Sequence, residues 1–322
     1  MEEAEFSWIC DKDSAKAQEV SEVYQLPFFT DLKQALQEPP DILIVSSPPS
    51  DHCKAASQAF MAGCHVLLEK PAVMSMDELK ALTYLSEKRK LCLGIDHTFL
   101  FSPFVRAIKQ IIASGELGDI LLFDSERLNF GPFRRDVSAL HDLAVHDISI
   151  ALYVLSSRIK TISACGRADV AGEPENAVQI KAISKSGAEI NVRADWLYPV
   201  KKRRLFIKGT EAMLLWDEEG LRIFSKNVRP AEDLHIPLNV FDNGSRHIEV
   251  PDEEPLKIMA REFLDHVMNG KPFVSDLFFS IDMIEAFDAA WLSMREGGCL
   301  AVVNPDTLMP RHRRNISEPP CP

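Results

Sequence analysis

Three short stretches of the sequence carry side chains that could do chemistry. One is "CHVLLEKPAV", residues 64–73, in which an apolar run ends in Glu69, Lys70 and Pro71. A proline restricts the backbone of the residue before it, and an ammonium at the end of a strand can donate a hydrogen bond to a substrate hydroxyl or relay its proton. The alternative for these three residues alone is a surface lysine in a salt bridge with Glu69.

The stretch "HDLAVHD", residues 141–147, places a carboxylate and an imidazole four residues apart. On a helix, Asp142 and His146 would share a face, and such a pair can hold the imidazole in one orientation and tune its pKa. A neutral histidine can then take the proton of an alcohol while hydride leaves the carbon. The alternative is an ordinary helix, whose core candidates would be Leu143, Val145, Ile148 and Ile150.

Polar residues also follow two other apolar runs, "EFSWIC" and "DILIVSS". Asp11 is either a loop residue or an acceptor for an adenosine ribose hydroxyl, the role of an acid after a Rossmann strand. The Pro48-Pro49 pair stops a strand and starts a turn, and a cofactor backbone could lie against it. Ser46 and Ser47 precede the pair. His52, in the first turn of the next helix, is either a surface or capping residue or part of the same site.

The first hundred residues alternate between strand and helix patterns. The predicted strands are 5–10, 41–47, 65–70 and 91–96, and the predicted helices are 13–24, 50–63 and 75–90, with a short helix begun at Thr30 or Asp31. We expect 41–47 to be buried on both faces, Ser50 to cap 50–63 and Gly63 to close it. Such repeats predict a parallel sheet covered by helices, with ligands beyond the carboxyl ends of the strands.

The pattern changes after about residue 98. The predicted helices are then 102–114, 138–156, 255–269 and 276–296, and the strands between them include 159–167, 176–183, 188–197 and 202–208. Tight links between successive strands favour an antiparallel sheet. The sequence therefore predicts an α/β fold: a Rossmann-like domain over 1–98, then an α+β domain over 99–303 with a large, mainly antiparallel sheet. The tail 304–322 is expected to be extended or disordered.

Composition narrows the class of protein. The 322 residues carry a net charge of −12, which argues against a nucleic-acid partner, and no 18-residue apolar run or signal pattern is present. The seven cysteines lack C-x-x-C spacing, as in reduced cytoplasmic proteins, and no metal site is predicted. The cluster 201–204, Lys-Lys-Arg-Arg, is either a solvated strand edge or a contact to a phosphorylated substrate or a partner subunit.

Taken in order, these motifs resemble the glucose–fructose oxidoreductase/inositol dehydrogenase (Gfo/Idh/MocA) family. "IVSSPPSDH" is similar to its proline turn, "EKP" to its hallmark, and "HDLAVHDISIALYVL" to its Asp-x-Gly-x-His helix, with Ala144 where glycine is usual. "ERLNFGPFRRDV" and "DWLYPVKKRRLFIKGTEAMLLWD" resemble second-domain strands of the branch that acts on sugar nucleotides. The resemblance runs from about residue 5 to 303.

The resemblance implies an NAD(P)-dependent oxidoreductase that transfers hydride at a hydroxyl of a sugar, cyclitol or nucleotide-sugar. It implies that Lys70 polarises the reacting oxygen, that His146 is the acid/base and that Asp142 orients the substrate or His146. The implied cofactor-binding residues are Asp11, Ser46, Ser47, Pro48, Pro49, His52, Glu69 and Lys70. The implied substrate-binding residues are Arg127, Asn129, Lys201 and Arg203. NAD is favoured over NADP because Asp11 would repel a 2′-phosphate. The resemblance also implies a homo-oligomer, a dimer or tetramer, that forms through the second-domain sheet.

One feature of the family is not found. Its first strand and G-x-G-x-x-G/A loop would precede "EFSWIC" by about twenty residues, and no G-x-G occurs in this sequence. Either the sequence begins downstream of its natural start or the protein is a shortened variant. The alternative function is thus a catalytically silent binding or assembly protein. A third possibility is an enzyme that retains its cofactor through a cycle of hydrolysis or elimination.

Overall fold

The structure, a computed structural model, describes residues 4–303 apart from positions 132, 136, 226, 229–239 and 242–243. Backbone contacts divide the chain into two compact units. Of the described residues, the first contains those up to Asp96 together with Arg261–Ser280, and the second contains His97–Ala260 and positions 281–303. The segment 261–280 therefore packs with the first unit, although the sequence division placed it in the second domain. The predicted tail, 304–322, lies outside the described residues.

The first unit alternates between short strands and helices. The strands are β1 (Ile9–Cys10), β2 (Phe28–Phe29), β3 (Ile42–Val45), β4 (His65–Glu69) and β5 (Leu93–Asp96). The helices are α1 (Ser14–Tyr24), α2 (Leu32–Ala35), α3 (Pro49–Ala62) and α4 (Met76–Arg89). Apart from β2, which the sequence did not predict, the order of elements matches the expectation. The strands are shorter than the apolar runs from which they were predicted.

Local capping chemistry accounts for the helix boundaries. The Asp13 carboxylate accepts hydrogen bonds from the first backbone amides of α1, and Ser75 Oγ accepts from the amide of Glu78 in α4. Gly63 ends α3 with φ +95°, a left-handed conformation that favours glycine. The prediction that Ser50 caps α3 was wrong: the helix begins one residue earlier, at Pro49, and has no side-chain cap. Proline suits that first position because its missing N–H would have no helical partner there.

The parallel strands of the first unit form two separate ladders. β1 pairs with β2, and β3, β4 and β5 form a second ladder in that order; all pairs are parallel. Among the described residues β3 pairs only with β4, and its Ile44 side chain is 55% exposed. The expectation that β3 is buried on both faces was therefore wrong: Leu43 and Val45 are buried on one face, and Ile44 is exposed on the other.

The core of the first unit lies around β4 and β5. Val66, Leu67 and Leu68 are buried on β4. On β5, a side chain at Gly94 would approach Phe263 and Phe273, with its Cβ 2.6 Å from Phe263 Cε2. Glycine at this position lets two aromatic rings lie directly on the strand.

The second unit is built on a nine-stranded sheet. Its strands are β6 (Ile120–Phe130), β7 (Ile159–Arg167), β8 (Ala177–Ser184), β9 (Glu189–Asp195), β10 (Leu197–Gly209), β11 (Ala212–Asp217), β12 (Gly220–Ser225), β15 (Ser245–Ile248) and β16 (Ala301–Val302). A separate short pair is β13 (Asn227–Val228) and β14 (Val240–Phe241). Its first two helices are α5 (Pro103–Ala113) and α6 (Val145–Leu155). Two longer helices, α7 (Pro255–Asn269) and α8 (Leu277–Arg295), lie between β15 and β16 in the sequence.

The strand order of the large sheet is β15-β12-β11-β10-β6-β9-β8-β7-β16. Every neighbouring pair is antiparallel except β6 and β9, which are parallel. The sheet is thus mainly antiparallel, as the sequence predicted. β10 lies between β11 and β6, but its register with β11 covers only Leu205–Lys208. Among the described residues, the cluster at 201–204 therefore has only β6 beside it and keeps one unpaired, solvated edge, as the sequence allowed.

The helix predicted over 138–156 has two parts. Leu140–Ala144 forms a π-helical turn preceded by Ala139, and α6 follows from Val145. Such turns are rare and occur frequently at functional sites. Within the described part of the chain, no helix is long and apolar enough to cross a membrane.

Candidate active site

The carboxyl ends of β3, β4 and β5 lie side by side at one edge of their ladder. Val45 is the register partner of Leu68, and Glu69 is the partner of Asp96. Because the strands are parallel, the residues that follow them, Ser46, Lys70 and His97, emerge at the same edge. Open parallel sheets bind ligands at such an edge.

Asp11 follows β1 and is exposed. One of its carboxylate oxygens accepts a hydrogen bond from the Asp13 backbone amide, at 2.9 Å. Lys12 next to it reaches Asp51 in the first turn of α3, with Nζ 2.7 Å from Oδ2. This contact brings the end of β1 close to the start of α3, so Asp11 and the 46–49 turn belong to one region of the first unit.

His52 has a different position from the surface or capping residue that the sequence also allowed. Its side chain is fully buried. Its Nε2 lies 2.8 Å from the carbonyl oxygen of Ser47, and its Nδ1 lies 3.0 Å from that of Pro71 and 3.2 Å from that of Ala72. His52 therefore joins the turn after β3 to the turn after β4. It is a positioning residue for both turns rather than a group with an exposed face for a cofactor.

Glu69 ends β4 and is half-buried. Its Oε2 accepts a hydrogen bond from the backbone amide of Lys70 at 3.0 Å, and a cis peptide bond joins Lys70 to Pro71. Burial raises the pKa of Glu69, and the neighbouring Asp96 carboxylate raises it further. The edge where Lys70 emerges thus holds two closely spaced acids.

The first unit fits part of a nicotinamide dinucleotide. The Ser47 hydroxyl is buried without a hydrogen-bond partner among the described residues, as expected of a donor reserved for a ligand. Asp11 fits a ribose hydroxyl, and the Glu69–Lys70 turn fits the nicotinamide side. For the pyrophosphate, the described residues offer no glycine-rich loop, and the N-terminus of α1 is already occupied by the Asp13 carboxylate.

The second unit contains Asp142 and His146. Asp142 lies in the π-helical turn, where its carboxylate accepts a hydrogen bond from Trp196 Nε1 at 3.1 Å and lies 3.5 Å from Arg134 Nη1. His146 lies in the first turn of α6 and is half-buried. Its ring contacts Phe99, with centroids 4.8 Å apart. The sequence analysis missed Trp196 and Phe99, because nothing local links them to the "HDLAVHD" stretch.

The Arg127 side chain is buried, whereas a side chain that contacts a substrate would have an accessible surface. Arg127 lies on β6 and makes two hydrogen bonds to Asp147, at 2.7 and 3.2 Å. Its guanidinium also lies over the Phe99 ring, 4.4 Å from the centroid. The sequence shows Asp147 directly after the candidate histidine, His146, but not that it pairs with Arg127.

The remaining predicted substrate residues lie on β6 and β10. Asn129 is half-buried near the end of β6, and Lys201 and Arg203 are exposed on β10. Arg203 is the register partner of Arg127, and its guanidinium lies 5.9 Å from the centroid of the same Phe99 ring. The structure therefore brings His146, Arg127 and Arg203 together around Phe99.

Comparisons with known proteins identify the family of the two domains. Residues 1–97 match the profile described as an oxidoreductase family, NAD-binding Rossmann fold, and residues 105–215 match the Gfo/Idh/MocA C-terminal domain. A relative is UDP-N-acetylglucosamine 3-dehydrogenase of Acidithiobacillus ferrooxidans, 25% identical over 85% of this chain and 84% of its own length. Another is the scyllo-inositol 2-dehydrogenase (NAD(+)) of Bacillus subtilis, 25% identical over 82% of this chain and 78% of its length.

A similar solved structure is GenD2 from gentamicin A biosynthesis in complex with NAD. The TM-score is 0.79, with 21% identity, over 93% of this chain and 89% of that chain. At this identity the likeness establishes the fold. The two profiles of one family, in the right order, cover nearly two thirds of the chain. With the polar edge after the parallel strands and the large mixed sheet, they show that the chain belongs to the Gfo/Idh/MocA oxidoreductase family.

Proposed function

We propose that the protein is an NAD-dependent oxidoreductase that transfers hydride at a hydroxyl group of a sugar, cyclitol or nucleotide-sugar. The observation that carries the proposal is the position of Lys70. It follows the central strand of the parallel ladder in a domain of an NAD-binding oxidoreductase family, at the edge where such sheets bind ligands. The relatives named above act on hydroxyls of an aminosugar nucleotide and of an inositol, according to their names.

When bound, the nicotinamide supplies the acceptor or donor of the hydride. In the proposed chemistry, the Lys70 ammonium donates a hydrogen bond to the reacting oxygen and stabilises the negative charge that grows on it. His146 takes the proton of the hydroxyl during oxidation and returns it during reduction. Asp142, held by Trp196 and Arg134, orients the substrate or His146.

The cofactor-binding residues divide into contacts and supports. We propose that Asp11 accepts a hydrogen bond from the adenosine ribose, which favours NAD over NADP because a carboxylate repels a 2′-phosphate. Ser46, Ser47 and the 48–49 turn line the cofactor, and Glu69 lies beside it. His52 supports these residues from beneath, through its contacts to the carbonyl oxygens of Ser47 and Pro71.

A second candidate function is a member of the family that binds or assembles without catalysis. The observation that favours it is the lack of a glycine-rich phosphate loop among the described residues, together with the carboxylate already seated at the N-terminus of α1. A third candidate keeps its cofactor bound through a hydrolytic or elimination cycle. It would need NAD in catalytic rather than stoichiometric amount.

A titration of NADH, followed by fluorescence and by calorimetry, separates the first two functions. We expect saturable binding with a dissociation constant below about 1 mM, and weaker binding by an Asp11→Ala variant. A chain that does not bind NADH at this concentration would exclude the dehydrogenase. A screen of sugars, cyclitols and nucleotide-sugars with both cofactors then identifies the substrate. The amount of NAD consumed per molecule of product tests the third function, an enzyme that keeps its cofactor bound.

Three further features belong to the proposal. We infer a two-domain organisation with a boundary near residue 98 and a homo-oligomer, dimer or tetramer, formed through the large sheet; light scattering on the purified protein measures the subunit number. We also infer a cytoplasmic location, which the free thiols of Cys10, Cys53, Cys64 and Cys92 support, since reduced cysteines are usual there.

A further inference from the structure

The four consecutive cations at 201–204 divide between the two faces of β10. Lys202 Nζ lies 2.6 Å from Glu126 Oε2, and Arg204 lies near both Glu126 and Asp124, at 3.5 and 3.9 Å. Within the part of the chain that the structure describes, neither Lys201 nor Arg203 forms a salt bridge. One pair of cations is therefore neutralised by the neighbouring strand and the other pair is not.

Arg203 lies directly opposite another arginine. It is the register partner of Arg127 across the β6–β10 pair, and like charges opposite each other destabilise a sheet. Asp147 neutralises one of the two guanidiniums through its paired hydrogen bonds to Arg127 Nε and Nη2. The arrangement keeps one uncompensated positive charge on the helix-covered face of the sheet. A sheet under selection for stability alone would place an acid or a neutral residue at position 203.

The uncompensated charge lies beside the proposed acid/base. The Arg203 guanidinium is 5.9 Å and the His146 ring 4.8 Å from the centre of the Phe99 ring. Desolvation of the guanidinium and the adjacent Arg127 charge lower the pKa of Arg203, and the Asp147 carboxylate acts in the opposite direction. The two guanidiniums thus share one carboxylate, which leaves an excess positive charge. An anion brought to this place would balance that charge. Asp147 makes its two hydrogen bonds to Arg127, and Arg203 forms no salt bridge within 4.0 Å among the described residues, so its fork can make a bidentate contact.

We propose that Arg203 is a substrate-binding residue for an oxyanion group, so that the enzyme selects an anionic sugar over a neutral one. The inference rests on the proposed function and names the substrate class of the same site. A guanidinium fork matches both a phosphate of a nucleotide-sugar and the carboxylate of a sugar acid. Lys201, two residues earlier on the strand, adds a second positive charge. Arg127 lies opposite Arg203 on β6 and is held by Asp147.

Four probes that share the glucose ring configuration and differ in charge test the inference: glucose, glucuronate, glucose 1-phosphate and UDP-glucose. Binding to the full chain is measured by calorimetry with NADH present, so that no oxidation of the sugar occurs. We expect at least one anionic probe to bind about tenfold or more tightly than glucose, and Arg203→Gln to remove that preference. Tight binding of glucuronate alone identifies a carboxylate, and tight binding of the two phosphorylated probes identifies a phosphate. Arg203→Lys should retain part of the preference.

Arg204→Gln is the matched control, because it removes the same charge one residue away, on the opposite face of β10. It should keep the affinity of the native protein for every probe. The inference is overturned if no anionic probe binds better than glucose, or if Arg203→Gln and Arg204→Gln have equal effects. The proposed function is tested separately: it fails if the protein does not bind NADH or does not transfer hydride. If the protein turns over a neutral sugar and Arg203→Gln does not change that turnover, the proposed function holds and this inference is excluded.

Discussion

The Nε2 atom of His52 lies 2.8 Å from the carbonyl oxygen of Ser47, while the other ring nitrogen faces the carbonyl of Pro71. One buried side chain thus connects the turns that follow two neighbouring strands. His52→Phe would keep a ring but has no ring nitrogen, so it removes the hydrogen bond that the imidazole donates to one of these carbonyl oxygens and both polar contacts between the turns. We expect the free energy of unfolding to fall by about 1–3 kcal/mol and NADH to bind more weakly, as measured by urea unfolding and by calorimetry.

Phe60→Leu is a suitable control for His52→Phe. Phe60 is fully buried in the same helix, α3, so its replacement should lower stability without breaking the contact between the two turns. If both variants lose stability but bind NADH equally well, His52 does not position the cofactor-binding residues and serves the fold alone.

The buried pair of Arg127 and Asp147 predicts an asymmetric mutational result. Both residues are 5% exposed, and their contact is doubly hydrogen-bonded. Asp147→Leu would leave a buried guanidinium without a carboxylate, opposite the charge of Arg203, and should lower the free energy of unfolding by about 3–5 kcal/mol. The double variant Arg127→Met/Asp147→Leu removes both charges, so urea unfolding should show a smaller loss. A double variant less stable than the single one would contradict this explanation.

Lys70 and His146 should affect turnover far more than stability. Lys70→Ala removes the proposed donor to the reacting oxygen, and His146→Ala removes the proposed acid/base. We expect each to lower kcat by about 10²- to 10⁴-fold with the substrate found by screening, and to change the free energy of unfolding by less than about 1 kcal/mol. Lys54→Ala, at an exposed position of α3, should leave both quantities unchanged. Near-full turnover in either active-site variant would show that its assigned role is wrong.

Local chemistry explains which parts of the fold could be predicted. Asp13, Ser75 and Gly63 each act within a few residues of their own helix end, so the sequence alone reveals them. The exposure of Ile44 could not be predicted in this way, because it depends on which elements pack against each face of β3. The same holds for the cluster at 201–204: composition shows four cations, and only the pairing of β10 with β6 shows that Glu126 neutralises one face.

The candidate site shows the same division. The order of the motifs identified Lys70, Asp142 and His146, because strand ends and short spacings are visible in one dimension. The burial of His52 depends on carbonyl groups that follow a different strand, 19 and 20 residues along the chain. The partner of Asp142 is Trp196, 54 residues away. Residues that support a site through distant contacts leave no local pattern, and a three-dimensional structure is needed to find them.

His141 predicts a dependence of stability on pH. Its Nδ1 lies 3.3 Å from Ser138 Oγ, and its ring stacks on Phe287 and lies near Trp291. Burial lowers the pKa of His141 below 6.5, although the Glu175 carboxylate acts in the opposite direction. The folded state therefore favours the neutral ring. Its contribution to stability is fully present above pH 6.5 and is lost as the pH falls through the lower pKa of the folded state.

His141→Phe retains the aromatic packing but cannot titrate. We expect the free energy of unfolding of the native protein to fall between about pH 7.5 and pH 5.5, and that of the variant to fall by less, since one proton fewer is taken up on unfolding. His247→Gln, which removes an exposed histidine of β15, should follow the native protein. Urea unfolding at the two pH values measures all three. Equal losses in the native protein and His141→Phe would mean that the buried ring does not contribute to the pH dependence.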